Sequence, residues 1–303
     1  KKIKIALLLP ISTKDNNLSK IGKSLRDAAF LAKEDLGNNF LEINTYDTYG
    51  QTQKGVLAYN LALEEKNEII IGPFLSSVTT EISNQFPFNT LNILSLSNDP
   101  TIVGRKIFIL GDTVVNRASN LIQYAINDNN YRFALIGPVG DNNAQINSLI
   151  SNKILIKGGV ITFSSYYSND ISAISDLAQD VKNKIIQTNT DIIIFTGEPD
   201  KRMSYLAAEL ADITVNKINK GIQIMSLTHW ENSASILSEP SLQKAWFTMP
   251  DQRFRSFYED KFIKKFGYIP HPKSTLAYDA VASLGVIHKN LNNGRDDYFD
   301  KFN

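Results

Sequence analysis

Apolar positions along the chain fall into two alternating rhythms. Short β-branched runs such as Ile69-Ile70-Ile71 stand between polar stretches, and each is followed by a longer segment with apolar residues every three or four positions. The first rhythm predicts strands buried on both faces, and the second predicts the amphipathic helices that cover them. Residues 3–9 read as the first strand, ended by Pro10. Leu25, Ala28, Ala29, Ala32 and Leu36 then mark a helix that Gly37 stops. A second strand is expected at 41–46, a turn at 47–52, and a second helix with Val56, Tyr59 and Leu63 on its inner face. The Ile69 strand, a helix running to about Phe86, and a strand at 92–96 ending in Ser97-Asn98-Asp99-Pro100 continue the series. Such alternation predicts an α/β fold with a parallel sheet, helices on both faces and right-handed crossovers.

Near Ile107-Phe108-Ile109-Leu110 the rhythm changes. A strand-like run is followed by Gly111-Asp112-Thr113 and by a new helix marked by Ala118, Leu121, Ile122 and Ala125, which reads as the crossing into a second lobe. Further strands are expected near 133–137, 160–163, 192–196 and 222–227, with a helix patterned by Ile174, Leu177, Ala178, Val181 and Ile185. Trp246 to Pro250 reads as the return crossing. The expected division is therefore an N-terminal lobe of residues 1–112 and 250–303 and a C-terminal lobe of residues 113–249, two Rossmann-like lobes with a hinge near Gly111 and Pro250 that closes on ligand. Phe254, Tyr258, Phe262 and Phe266 recur every four residues. They predict a helix docking an aromatic stripe onto a sheet, as core packing and not as a cofactor contact. A last helix is expected at 274–289, with Leu276, Ala280, Leu284 and Ile287 facing inward, and a loose polar tail after it.

Composition narrows the function classes. Lys plus Arg number 32 against 31 for Asp plus Glu, and the basic residues are scattered, which argues against nucleic acid as a partner. No apolar run approaches the length needed to span a bilayer, so the chain is expected to be soluble. The absence of cysteine excludes disulfides, thiol catalysis and cysteine-ligated metals. His229, His271 and His288 lie far apart, with no His or Glu at ligand spacing, so no metal is expected. No nucleophile elbow, phosphate-cradling loop or dinucleotide fingerprint is present, and no cofactor or catalytic activity is expected. Ser241-Leu242-Gln243-Lys244 matches a Ser-x-x-Lys pair, a short pattern that chance supplies in a chain rich in serine and lysine. Asp47 and Glu198 follow strands, where solvated loop carboxylates are the ordinary case.

Ligands in open α/β sheets sit beyond the carboxyl ends of the strands. After the Ile69 strand, Gly72 and Pro73 turn the chain, Ser76 and Ser77 offer hydroxyls and helix-capping capacity, and the helix start presents unpaired N–H groups to an anionic group. Ser97, Asn98, Thr228 and Trp230 also follow strands. These six residues form the candidate site for a small polar ligand in an inter-lobe crevice: hydroxyls, an amide and one aromatic platform. Trp230 either closes over a ligand or packs in the hinge.

Taken together, the Leu-Pro end of the first strand, Ile70-Ile71-Gly72-Pro73 with its serines, the segment from Phe254 to Pro270 with its Phe-Gly-Tyr-Ile-Pro close, and Ala277-Tyr278-Asp279-Ala280 resemble the type I periplasmic binding proteins, the Leu/Ile/Val-binding-like group. Within it, Ser97-Asn98-Asp99, Phe108 to Gly111, Thr228-His229-Trp230 and Ala245 to Pro250 are most similar to lipoproteins described as penicillin-binding protein activators. The amino-acid receptors carry a longer turn with a threonine after the fourth strand and an acidic residue where this chain has Thr228-His229-Trp230, so the resemblance to that subgroup is weaker. The activator likeness implies a periplasmic location, an outer-membrane lipid anchor on a cysteine upstream of Lys1, and contact with a peptidoglycan synthase. The alternative it leaves open is a receptor for amino acids or small peptides that docks an ABC permease. The family likeness also implies strands after the final helix; none is read there, so the sequence is expected to be truncated.

Overall fold

The computed structural model describes residues 2–37, 40–88, 91–198, 200–214, 221–228, 236, 238–249 and 251–292. The chain divides into two compact units, Lys1–Asp112 with Asp251–Asn303, and Thr113–Pro250.

In the first unit the strands are β1 (Ile3–Leu9), β2 (Leu41–Asp47), β3 (Ile69–Ile71), β4 (Asn92–Ser95) and β5 (Ile107–Ile109), and the helices between them are α1 (Asn16–Asp35), α2 (Thr52–Glu64) and α3 (Ser76–Gln85). The sheet runs β2-β1-β3-β4-β5, parallel throughout, with Leu7 opposite Ile71 and Ile71 opposite Leu94. Residues 5–9 of β1 are fully buried because side chains alternate across the pleat and both faces are covered. Leu7 and Leu9 enter a cluster with Leu25 and Ala29 of α1, whereas Ala6 and Leu8 enter one with Tyr59 of α2 and Val78 of α3. Asp15 caps α1 by accepting from the N–H groups of Asn17 and Leu18, and Gly37 ends it at φ +62°.

Two late helices complete this unit. In the second unit they are preceded by α4 (Val114–Asn127), β6 (Arg132–Pro138), α5 (Asp141–Ile156), β7 (Val160–Tyr167), α6 (Ile174–Thr188), β8 (Ile192–Phe195), α7 (Lys201–Glu209), α8 (Ala211–Thr214) and β9 (Gln223–Ser226), so the late pair are α9 (Gln252–Phe266) and α10 (Thr275–Asn292). The aromatic stripe of α9 packs on helices and not on a sheet, contrary to the sequence expectation. Phe262 is fully buried against Ala28 and Leu31 of α1, with Tyr258, Phe266 and Tyr278 of α10 around it, while Phe254 is 75% exposed. The reason is that α1 is already seated on the sheet. Its outer face, with Ala28 and Leu31, is the apolar surface left for α9.

The second unit's sheet runs β7-β6-β8-β9, also parallel throughout. Phe133, Leu135, Ile192 and Ile194 face α4 and α5, while Ile136, Ile193 and Phe195 face α6 and α7. Trp246 bridges to Met225 beside β9, so the expected return segment begins in contact with the second sheet. Pro250, the expected end of that crossing, lies outside the described residues. None of the described helices is long and apolar enough to cross a membrane.

Candidate functional site

In the first unit the carboxyl ends of β1, β3 and β4 form one crest, and short bonds fix its loops. The Asp47 carboxylate at the end of β2 accepts from the N–H groups of Ile11 (3.0 Å), Ser12 (2.9 Å) and Tyr49 (2.8 Å), so it organises the loop after β1 and is no freely solvated carboxylate. Gly72 has φ +98°, and a Cβ there would stand 2.3 Å from the carbonyl oxygen of Leu8, so only glycine lets β3 turn this close to β1. The carbonyl of Pro73 then accepts from the Leu96 N–H at 3.0 Å, which ties the β3 turn to the β4 turn.

Four of the six candidate residues lie on this crest. Ser76 and Ser77 do not cap α3, contrary to expectation. The capping position is Leu75, which has no side-chain acceptor, and the helix already includes both serines as its first two residues. Neither serine hydroxyl, nor the N–H of either, has a protein partner among the described residues, and Ser77 is exposed. Ser97 is buried, and its Oγ accepts from the Asp99 N–H at 3.1 Å, so that hydroxyl faces into its own turn. Asn98 is exposed, and its side chain makes no hydrogen bond among the described residues. The crest thus offers two serine hydroxyls, free N–H groups and one amide.

Thr228 belongs to the second unit, just past β9 at the edge of its sheet. It is 5% exposed, its N–H donates to Ser226 Oγ at 3.3 Å, and the two hydroxyls lie 3.2 Å apart. Its hydroxyl is therefore folded back into the turn. Trp230 lies outside the described residues.

The second unit also carries polar residues that the sequence reading missed. At the carboxyl ends of β6, β7 and β8, Asn143, Asn147, Ser165 and Tyr167 are all at least nine-tenths buried. Asn143 Nδ2, Asn147 Oδ1, Ser165 Oγ and Tyr167 Oη have no hydrogen-bond partner among the described residues. Asn143 Oδ1 accepts from Thr196 Oγ1 at 3.1 Å, which aims the amide, and its side chain fits because Gly137 lacks a Cβ. Asn143 also lines a recess of about 440 Å³ with Pro138, Val139, Gly140 and Asp141 at the start of α5. On the other face of the sheet the Arg202 guanidinium lies 5.1 Å from the Tyr167 ring centre, and Arg202 is itself held by Asp200. Burial, and after it the Asp200 carboxylate, push the Tyr167 hydroxyl up to about 12, so it is a neutral donor at ordinary pH.

The other chemistry considered in the sequence comes apart. Ser241 Oγ donates to Glu239 Oε1 at 2.8 Å within a short 3-10 turn, so its partner is a capping carboxylate and not Lys244. Glu198 is an exposed loop carboxylate. Among the described residues no three His, Asp or Glu side chains gather as metal ligands, and His229 lies outside them.

No protein-family model matches the sequence. A protein of Rickettsia prowazekii (strain Madrid E), itself uncharacterised, is 24% identical over 223 residues, 72% of this chain and 58% of that protein. The match thus takes in somewhat more than half of the relative's length. Among solved structures, a protein assigned to branched-chain amino acid ABC transport in Rhodospirillum rubrum has a TM-score of 0.70 at 14% identity, covering 94% of this chain and 84% of its own. The branched-chain amino acid ABC transporter periplasmic ligand-binding protein of Burkholderia xenovorans LB400 has a TM-score of 0.61 at 13% identity, covering 93% and 76%. With its two parallel sheets in strand orders β2-β1-β3-β4-β5 and β7-β6-β8-β9, the chain has the fold of the type I periplasmic binding proteins of the Leu/Ile/Val-binding kind.

Proposed function

We propose that this chain is a non-catalytic binding module that works in the periplasm and takes a small, polar, largely uncharged ligand through its strand-end crests. The observation that carries the reading is the set of four partnerless buried polar atoms on Asn143, Asn147, Ser165 and Tyr167. Each costs the folded chain about 1–3 kcal/mol if it stays unmade; Asn143 and Asn147 stand on the α5 face of the sheet and Ser165 and Tyr167 on the α6 face, so a ligand at the strand ends recovers the loss at those it reaches. The crest of the first unit is a separate set, in which Ser76, Ser77 and Asn98 have free polar groups among the described residues.

The ligand is not a free branched-chain amino acid. Gripping an α-ammonium takes several acceptors, since burying that charge without partners is costly. The turn after β4 exposes only the Asn98 amide, because Ser97 is buried, with its hydroxyl turned toward the Asp99 N–H. A calorimetric and thermal-shift screen of amino acids, small peptides and peptidoglycan fragments tests this. The expected result is saturable binding of a neutral polar compound that is lost in Ser77→Ala or in Asn143→Leu, according to which crest holds it. Sub-micromolar binding of leucine, isoleucine or valine overturns the ligand class, and binding that survives both substitutions overturns the site.

A second reading is favoured by that same closed Ser97-Asn98-Asp99 turn, in which Asp99 also accepts from the Thr101 N–H at 2.9 Å. That turn is one of the segments, with Phe108 to Gly111, Thr228 to Trp230 and Ala245 to Pro250, in which the sequence is similar to the penicillin-binding protein activators. In this reading the chain is anchored to the outer membrane through a lipid upstream of Lys1 and contacts a peptidoglycan synthase through its surface. A pull-down from envelope extract with the wild-type chain and with Ser77→Ala/Asn143→Leu separates the two. Capture of a peptidoglycan synthase by both supports the activator role, whereas capture of permease subunits by the wild type alone supports a transport receptor.

A further inference from the structure

A second recess lies wholly within the first unit. It measures about 540 Å³ and is walled by the outer face of α1 and by the segment from Tyr268 to His271. Lys20, Lys23 and Asp27 stand on one side of α1, three or four residues apart, so their side chains share that wall. The opposite wall is fixed in place: the His271 N–H donates to Ser24 Oγ at 2.9 Å, and Tyr268 Oη donates to Asp27 Oδ2 at 2.7 Å.

The charges in this recess do not cancel. Asp27, 9% exposed, is already matched by Arg26, whose Nε and Nη2 each reach Asp27 Oδ1 at 2.8 Å. Lys20 and Lys23 make no ion pair or hydrogen bond among the described residues. Two ammonium groups three residues apart on a helix repel each other. A counter-charge between them would relieve that repulsion. His271 adds a donor without a charge. Burial, and then Lys273, hold its imidazole below the usual histidine range, and its Nδ1 accepts from the Lys273 N–H at 3.2 Å, which leaves the ring proton on Nε2.

We infer that this recess is a binding site for a compact dianionic phosphate group, held by Lys20 and Lys23 with the His271 ring as a neutral donor. Two unmatched ammonium charges fit a dianion. A single carboxylate would leave one of them uncompensated, and lysine serves phosphate well as a point charge because it does not require the planar geometry that arginine does. The wall from Tyr268 to His271 is preset, and the ordering that accompanies binding is that of the exposed Lys20 and Lys23 side chains. The site is independent of the crest residues proposed to hold the polar ligand.

Phenyl phosphate, followed by phosphorus NMR line width and by calorimetry against the full chain at low salt, is the probe. Saturable one-to-one binding in the millimolar range is expected. It should weaken about tenfold or more in Lys20→Ala/Lys23→Ala and stay unchanged in Lys54→Ala/Lys201→Ala, which removes two exposed lysines elsewhere. It should also persist in Ser77→Ala/Asn143→Leu, so failure here is distinct from failure of the polar-ligand site. No saturable binding, equal loss in both lysine pairs, or full retention in Lys20→Ala/Lys23→Ala overturns the assignment. Circular dichroism of each variant confirms that the exposed lysines were removed without unfolding.

Discussion

A Cβ built on Gly111 would lie 1.9 Å from the carbonyl oxygen of Ser97 and 2.8 Å from the Asn98 nitrogen. Glycine is needed here for close approach of two backbone segments, and its φ is unremarkable for any residue. Gly111→Ala must push the turn after β4 away from the segment that follows β5. The expected cost is about 1–3 kcal/mol, as for overpacking elsewhere. Urea denaturation should show a lower midpoint at unchanged slope. A midpoint equal to wild type would mean that the turn yields freely.

Serine and threonine at the ends of different strands should respond in opposite ways. The Ser77 hydroxyl is exposed and has no protein partner among the described residues, so Ser77→Ala should leave the melting temperature unchanged within about half a kcal/mol. Thr228 is buried and its hydroxyl sits 3.2 Å from that of Ser226. Thr228→Ala should cost about 1 kcal/mol. Equal melting curves for the two variants would refute the distinction drawn between an open crest and a closed turn.

Alkaline pH should destabilise the fold through its buried tyrosines. Burial raises the Tyr59 and Tyr167 hydroxyls to about 12, and burial followed by the bond to Glu65 does the same for Tyr46. An unfolded tyrosine ionises near 10. Between these values the folded state keeps a proton that the unfolded state has lost, so stability is complete below pH ~10 and falls as pH climbs toward ~12. Urea midpoints measured at intervals from pH 9 to 11.5 should be flat at first and then drop. A flat profile throughout would show these hydroxyls to be open to water.

The sheets were legible in the sequence because both of their faces are buried. Residues 69–71 are three isoleucines in a row, and Ile70 and Ile71 are fully enclosed. Polar residues on the buried side were harder to see. Asn143 and Asn147 look like solvent-facing helix residues, yet they continue the stripe of Ile150 and Ile154, all four buried at a spacing of three to four. Reading asparagines by their register with the isoleucines, and not by their polarity, would have found them. Tyr167 escaped notice because the strand runs four residues past the expected 160–163, keeping Phe163, Ser165 and Tyr167 on one face. The aromatic spacing of α9 correctly marked Phe262 as core, but spacing alone does not say whether a helix or a sheet lies opposite.

Tyr167 gives the sharpest test of whether the second crest is left incomplete for a ligand. Its ring packs in one cluster with Ile136 and Phe195 and is 2% exposed, while its Oη has no partner among the described residues. Tyr167→Phe keeps that packing and deletes only the unsatisfied oxygen. Deleting a buried polar atom that has lost water and gained nothing should raise the stability of the ligand-free chain by about 1 kcal/mol, and it should also make the alkaline fall shallower by one titrating group. If the oxygen meets a ligand when one binds, the same substitution must weaken binding, so stability and affinity should move in opposite directions. A loss of stability in Tyr167→Phe would instead mean that an ordered water already satisfies the hydroxyl, and the crest would then be complete without any ligand.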